Sequence, residues 1–183
     1  MNFIETKLRG CFVLEPNVIH DERGYFMESF NQNTFNKGIG KEVNFVQDNQ
    51  SYSSKGVLRG LHYQCGEYAQ AKLVRVLEGE VLDVAVDLRP DSDTYGQSYS
   101  ILLTAENKKQ FYIPRGFAHG FIVLSNKASF FYKCDNFYNK ESEGGLIYND
   151  PTLAIDWGIP ESELIISGKD KILPTLENAR KVW

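Results

Sequence analysis

Short runs of β-branched and aromatic residues recur along the chain and are cut every few positions by Gly, Asn or Asp, a rhythm that predicts strands rather than helices. The clearest run is Lys72 to Leu88, KLVRVLEGEVLDVAVDL, whose Glu78-Gly79 centre reads as the turn of an antiparallel hairpin. On its second arm Leu82, Val84, Val86 and Leu88 alternate with Asp83, Ala85 and Asp87, the period of a strand. Further strands are predicted over Cys11 to Leu14, Gly24 to Phe30, Asn44 to Tyr52, Gly56 to Tyr63, Tyr99 to Thr104, Gln110 to Ile113, His119 to Ser125 and Ser129 to Asn136. Helical periodicity is confined to Gln32 to Lys37 and a terminal turn between Pro174 and Arg180. From Lys140 to Trp157 the chain is turn-rich, and it leads into an irregular C-terminal extension expected to wrap the strands. About ten short, evenly spaced strands predict an all-β fold: a jelly-roll barrel or sandwich with a few short peripheral helices and a small-molecule pocket in its mouth. The 183 residues carry no repeat or linker, so a single domain over residues 1–183 is expected, opening on an N-terminal strand region.

Composition narrows this picture. With 42% hydrophobic and 24% charged residues there is too much core-forming material for disorder, and no apolar run approaches a membrane span. Met1 to Gly10 lacks the charged-then-apolar pattern of a secretory signal, which makes the cytoplasm the expected compartment. A net charge of −4 argues against broad nucleic-acid binding, although a few convergent cations could still hold an anionic ligand. Cys11, Cys65 and Cys134 are odd in number and form no C-x-x-C pair, the pattern of reduced packing residues. Only three histidines, His20, His62 and His119, are available for chemistry, and His20 reads as a surface residue.

His62 lies in VLRGLHYQ, where strict alternation would put Leu58, Gly60, His62 and Gln64 on one face. It reads either as a hydrogen-bonded core or rim histidine or, with Arg59 and Gly60 beside it, as a base next to an anion contact. Pro114 to His119, PRGFAH, resembles half of the cupin pattern, in which P-x-G-x-x-H closes a jelly-roll strand and turns a histidine inward. The H-x-H pair of metal-binding cupins is missing, because Tyr63 and Gln64 follow His62. Two isolated histidines fall short of the three or four donors a transition metal takes, so a cupin-type barrel without a metal is expected. Lys72 alternates with Val74 and Val76, which turns its amine toward an apolar interior or lets it snorkel to solvent. Tyr132, in register with Phe130 and Cys134, reads as a core filler or a reactive phenol. Arg23 and Lys169 are further candidate pocket cations, and Asp170 beside Lys169 is by itself a polar loop residue.

Together these segments resemble one family, the dTDP-4-dehydrorhamnose 3,5-epimerases. The matching stretches are GCFVLEP, DERGYFMESF, QDNQSYS, VLRGLHYQ, AQAKLVRVLEGEVLDVAVDLR, FYIPRGFAHGF, FYKCDNFY, EGGLIYNDP and the final SGKD, in family order from about Gly10 to Asp170. The resemblance implies a nucleotide-linked 4-keto-6-deoxyglucose, dTDP-4-keto-6-deoxy-D-glucose, as substrate. It also implies inversion at C3 and C5, both α to the C4 carbonyl, by acid–base catalysis without a redox cofactor.

Position by position, the resemblance makes His62 the base, Asp170 the carboxylate that orients it, Lys72 the cation near the C4 oxygen and Tyr132 the proton donor on the other face. It makes Arg23, Arg59 and Lys169 diphosphate contacts, and Phe26 and Tyr138 the pair that holds the thymine ring. Glu28, Gln47, Asn49, His119 and Glu143 become polar contacts to base or sugar. A homodimer is implied, with an N-terminal strand pairing across the interface and Phe26 serving the neighbouring site. Two departures stand out: Cys65-Gly66-Glu67 replaces a proline-rich loop, and Tyr148 replaces a common Trp. Relatives that invert only C3, ketoisomerases on the same barrel, and a non-catalytic sugar-nucleotide-binding cupin are the competing readings. The last has no need of a base, an interior lysine and an opposing phenol together.

Overall fold

The computed structural model describes residues 1–183. Fourteen strands follow one another: β1 (Asn2–Glu5), β2 (Phe12–Glu15), β3 (Ile19–Asp21), β4 (Gly24–Phe26), β5 (Gln47–Ser54), β6 (Val57–Gln64), β7 (Lys72–Glu78), β8 (Glu80–Asp87), β9 (Ser98–Thr104), β10 (Gln110–Ile113), β11 (Phe117–Val123), β12 (Lys127–Cys134), β13 (Glu143–Gly145) and β14 (Ile165–Ile166). One α-helix, α1 (Gln32–Ile39), interrupts them, and five short 3-10 turns lie at the periphery. No helix is long and apolar enough to cross a membrane.

The strands form two six-stranded sheets, β1-β2-β10-β7-β12-β5 and β13-β6-β11-β8-β9 with β14 added beside β6. From β5 to β8 and again from β9 to β13, successive strands are dealt to alternate sheets, the crossing pattern of a jelly roll, as expected. Between the sheets lies a core in which Val74, Val76 and Phe130 of one layer meet Val81, Ala85 and Phe121 of the other. A second core lies outside the β6-β11-β8 layer, where Leu146, Leu153, Trp157 and Val182 of the C-terminal extension cover Leu58, Val84 and Val86. The extension therefore wraps the barrel as expected. Both faces of β8 are buried in consequence, one by the opposite sheet and one by this wrap.

The predicted hairpin at Glu78-Gly79 does not form. β7 bonds to β10 and β12, whereas β8 bonds to β9 and β11, so the two strands lie in opposite sheets instead of pairing. Gly79, at φ +77°, is the corner where the chain changes sheets; a Cβ there would lie 2.0 Å from the Lys127 carbonyl oxygen. Local pattern cannot separate a two-residue hairpin from such a corner, because both want glycine between alternating strands. Gly24 to Phe30 is likewise shorter than predicted: β4 ends at Phe26 and pairs only with β3. Asn31 caps α1 by accepting from the backbone N–H of Asn33 and Thr34, and Phe35 anchors the helix in a third, aromatic cluster with Leu14, Leu73 and Tyr112.

Candidate active site

Register decides which side chains reach the space between the sheets. On one wall Asn49, Tyr132 and Val74 lie side by side on β5, β12 and β7, while Cys134 lies beside Lys72. Alternation then turns Lys72 and Tyr132 inward together, and the Lys72 ammonium sits 6.0 Å from the Tyr132 ring centre. On the facing wall His62 of β6 lies opposite His119 of β11. Between His119 and Phe121 the β6–β11 register shifts, and this bulge corrects the sequence reading. Leu58 and Leu61 pack outward under the C-terminal wrap, whereas Arg59 and His62, three positions apart, both reach the cavity. Gly60 makes the irregularity attainable: its φ is +127°, and a Cβ there would come within 2.6 Å of the Gly120 Cα.

His62 and Asp170, 108 positions apart, meet with Nε2 and Oδ1 at 2.7 Å. Asp170 is 4% exposed, and its other oxygen accepts from the Gly60 N–H at 3.4 Å. Burial would raise its carboxyl, but the His62 contact and the Gly60 and Ser167 hydrogen bonds outweigh that and hold it below the usual carboxylate range. An ionised Asp170 can only accept, so Nε2 of His62 donates and Nδ1 is left with the free lone pair. Burial pushes the Lys72 ammonium down, against the charge of Asp83, and pushes the Tyr132 phenol up, so that it stays protonated at neutral pH. Burial likewise raises the Cys134 thiol to about 11, keeping it neutral beside Lys72. All three cysteines are free and buried, as expected of packing residues.

The cavity has two adjoining lobes of about 660 and 460 Å³, and His62, Lys72, Tyr132 and Lys169 line both. Arg59, Asn49, His119 and Asp170 line the larger lobe; Tyr138 and Glu143 line the smaller. Arg59 is steadied by its contacts to the Ser53 hydroxyl at 3.2 and 3.1 Å. Glu143 accepts from Lys169 Nζ at 2.6 Å and from the Tyr138 hydroxyl at 3.2 Å, and the Lys169 contact holds its carboxyl down despite partial burial. Gln47 stands at the rim, accepting from the Tyr138 N–H at 3.0 Å and donating to Asn49 at 3.1 Å.

Three expected site residues do not reach this cavity. Arg23 is paired with Asp21 on the β3–β4 hairpin, Phe26 is 71% exposed there, and Glu28 follows it in the open, bonded only to Asn31. The hairpin pairs with nothing but itself, so no sheet carries it inward. Conversely, sequence reasoning missed Asp83, which is 0% exposed and bonded through Oδ1 to His119 Nε2 at 2.9 Å, with Oδ2 unpartnered. Its signal was an acid sharing a face with Ala85 and Val81 on a strand buried on both sides, where a carboxylate requires a partner. No group of three or more His, Cys, Asp or Glu side chains is placed to hold a metal ion.

A cupin-like jelly roll whose two walls present an imidazole–carboxylate pair, an ammonium and a phenol to one cavity has the build of an acid–base isomerase. A family model described as dTDP-4-dehydrorhamnose 3,5-epimerase matches residues 5–178, and the chain belongs to that family. The Escherichia coli (strain K12) dTDP-4-dehydrorhamnose 3,5-epimerase is 55% identical over 97% of this chain and 95% of its own. Among solved structures, the dTDP-4-dehydrorhamnose 3,5-epimerase of Elizabethkingia anophelis NUHP1 matches with a TM-score of 0.95 and 57% identity, covering 100% of this chain and 99% of that one. A dTDP-6-deoxy-D-glucose-3,5-epimerase of Legionella pneumophila Philadelphia 1, solved in complex with dTDP-4-keto-L-rhamnose, matches at 0.93 and 50% identity over 97% and 93% of the two chains.

Proposed function

We propose that the protein is a dTDP-4-dehydrorhamnose 3,5-epimerase that converts dTDP-4-keto-6-deoxy-D-glucose to dTDP-4-keto-L-rhamnose, with residues 1–183 acting as one catalytic domain in the cytoplasm. The observation that carries the reading is that His62 and Tyr132 project from opposite sheets into one cavity. Inversion at carbon needs a proton removed from one face and another delivered to the opposite face, and two groups on facing walls suit that task.

His62 acts as the base through Nδ1, with Asp170 fixing the tautomer and stabilising the imidazolium. The C4 carbonyl acidifies both neighbouring carbons, and the Lys72 ammonium stabilises the enolate oxygen that forms as either proton leaves. Tyr132, kept neutral by burial, delivers the proton from the other face. Arg59 and Lys169 hold the diphosphate. Tyr138 stacks on the thymine, and Asn49, Gln47, Glu143 and His119 fix base and sugar by hydrogen bonds. Arg23, Phe26 and Glu28 reach the cavity of a second subunit, the hairpin crossing the interface of a homodimer.

The test is incubation with the dTDP-4-keto sugar in deuterated water. Label is expected at both C3 and C5, and His62→Asn should abolish exchange while retaining dTDP binding. Label at C3 alone would reduce the protein to a single epimerase, and no label would end the catalytic reading.

A further inference from the structure

The last residues of the chain close over the end of β6 beside the smaller lobe. The Gly66 N–H donates to the Val182 carbonyl at 2.7 Å, the Tyr63 hydroxyl donates to the Arg180 carbonyl, and the Val182 side chain is 1% exposed in the outer core. This anchorage on both sides fixes where the Arg180 side chain can go. Its Nη1 donates to the Glu141 carbonyl at 2.6 Å and, more weakly, to the Glu143 carbonyl at 3.5 Å. Those carbonyls belong to the short turn that leads into β13 and to the first residue of β13 itself.

β13 is only three residues long and is the edge strand of its sheet, bonded to β6 on one side with no strand on the other. A strand this short does not hold its own edge, and its outward carbonyls need another donor. Arg180 supplies one, and a charge-assisted bond to a carbonyl is stronger than a neutral one. The side chain carried by that backbone is Glu143, which bridges Tyr138 and Lys169 across the smaller lobe.

We propose that Arg180 is a positioning residue for nucleotide-sugar binding, holding the Glu141–Glu143 backbone so that the Glu143 carboxylate keeps Tyr138 and Lys169 in binding geometry. The inference rests on the epimerase reading above. It concerns affinity: Arg180 borders the smaller lobe together with the catalytic groups, but its side chain bonds only to the Glu141 and Glu143 carbonyls and to none of His62, Lys72 or Tyr132.

The experiment measures kcat and KM with the dTDP-4-keto sugar, and dTDP affinity by calorimetry, for wild type, Arg180→Met, Arg180→Lys, Glu143→Ala and the Arg180→Met/Glu143→Ala double variant. Wild-type turnover and dTDP binding decide the epimerase reading by themselves, whereas ratios to wild type decide the role of Arg180. Arg180→Met is expected to raise KM and the dTDP Kd about tenfold, with kcat within about twofold of wild type. Arg180→Lys keeps the charge on a shorter, more flexible stem and is expected to fall between. If Arg180 works through Glu143, adding Arg180→Met to Glu143→Ala leaves affinity unchanged. Additive losses would mean that Arg180 meets the ligand directly and would overturn the positioning role. Wild-type dTDP affinity in Arg180→Lys together with a folded, tightly binding Arg180→Met would overturn it too. Should Arg180→Met melt too low to assay, Arg180→Lys decides, with wild-type affinity overturning the proposal and weakened affinity at unchanged kcat supporting it.

Discussion

An ammonium group on the inner face of a β-sandwich costs folding free energy unless something there needs its charge. Lys72 meets no carboxylate directly; its ammonium donates to the His62 carbonyl at 3.4 Å, and burial depresses its pKa. Lys72→Met is therefore expected to stabilise the fold by about 1 kcal/mol at neutral pH while lowering kcat by about a hundredfold or more. The sign with pH follows from linkage. Below its depressed folded pKa the lysine is charged in both states and its cost is full. As pH rises from there toward about 10.4 the unfolded chain binds more protons, so wild-type stability climbs and the variant's advantage shrinks. Urea titrations of both proteins across that range would reveal it, and an advantage that grew with pH would contradict the buried-charge account. The inward lysine was legible from its alternation with Val74 and Val76, as was Tyr132 from Phe130 and Cys134. Asp170 as a partner was not, since no local pattern joins positions 108 apart; only the resemblance pointed to it. Asp83 escaped because alternation was read as one buried face, that of Leu82, Val84 and Val86, which the C-terminal wrap covers; the other face, with Val81, Asp83 and Ala85, is buried against the opposite sheet, a pairing that strand period does not encode.

At the scale of elements, β6 illustrates how one irregularity builds a site. A regular strand would have turned Arg59 away from His62, and the bulge opposite Gly120 brings both to the cavity. Gly60→Ala adds a methyl where the Gly120 Cα would be 2.6 Å away and the His119 carbonyl oxygen 2.9 Å away, at a φ of +127°. Neither neighbour is a flexible side-chain end, so the bulge itself must give. The expected cost is above about 3 kcal/mol, with kcat/KM reduced more than the loss of folded protein explains. Gly158→Ala provides the comparison: its φ of +76° is also left-handed, but nothing lies within 4 Å of the added carbon. It should cost about 1 kcal/mol and leave kcat/KM intact. Equal costs in thermal denaturation would mean that backbone strain, not the Gly60–Gly120 approach, sets the penalty. The glycine beside His62 signalled a close approach in the sequence, but its direction came only with the fold. The same limit applies at Gly79, where a glycine between two alternating runs predicted a hairpin and instead marks a change of sheet.

For the whole molecule, the cavity lacks the three residues of the β3–β4 region that the family resemblance assigns to binding. That region ends in exposed Tyr25 and Phe26, apolar surface that a free hairpin would not be expected to present to water. If the hairpin of each subunit completes the cavity of its partner, the base and the hairpin cation of one working site come from different chains. His62→Asn and Arg23→Ala should then each be nearly inactive alone and should complement each other when the subunits are mixed. Random reassortment makes half the dimers mixed. In each of these, one site joins an intact His62 to an intact Arg23 and the other carries both defects, so about a quarter of wild-type activity should return. Denaturing and refolding the two variants together, with each refolded separately as the control, provides the measurement. Recovery near that fraction would place Arg23 across the interface. Assays at the level of the separate variants, from mixed dimers verified by differential tagging, would instead mean that the hairpin serves its own cavity.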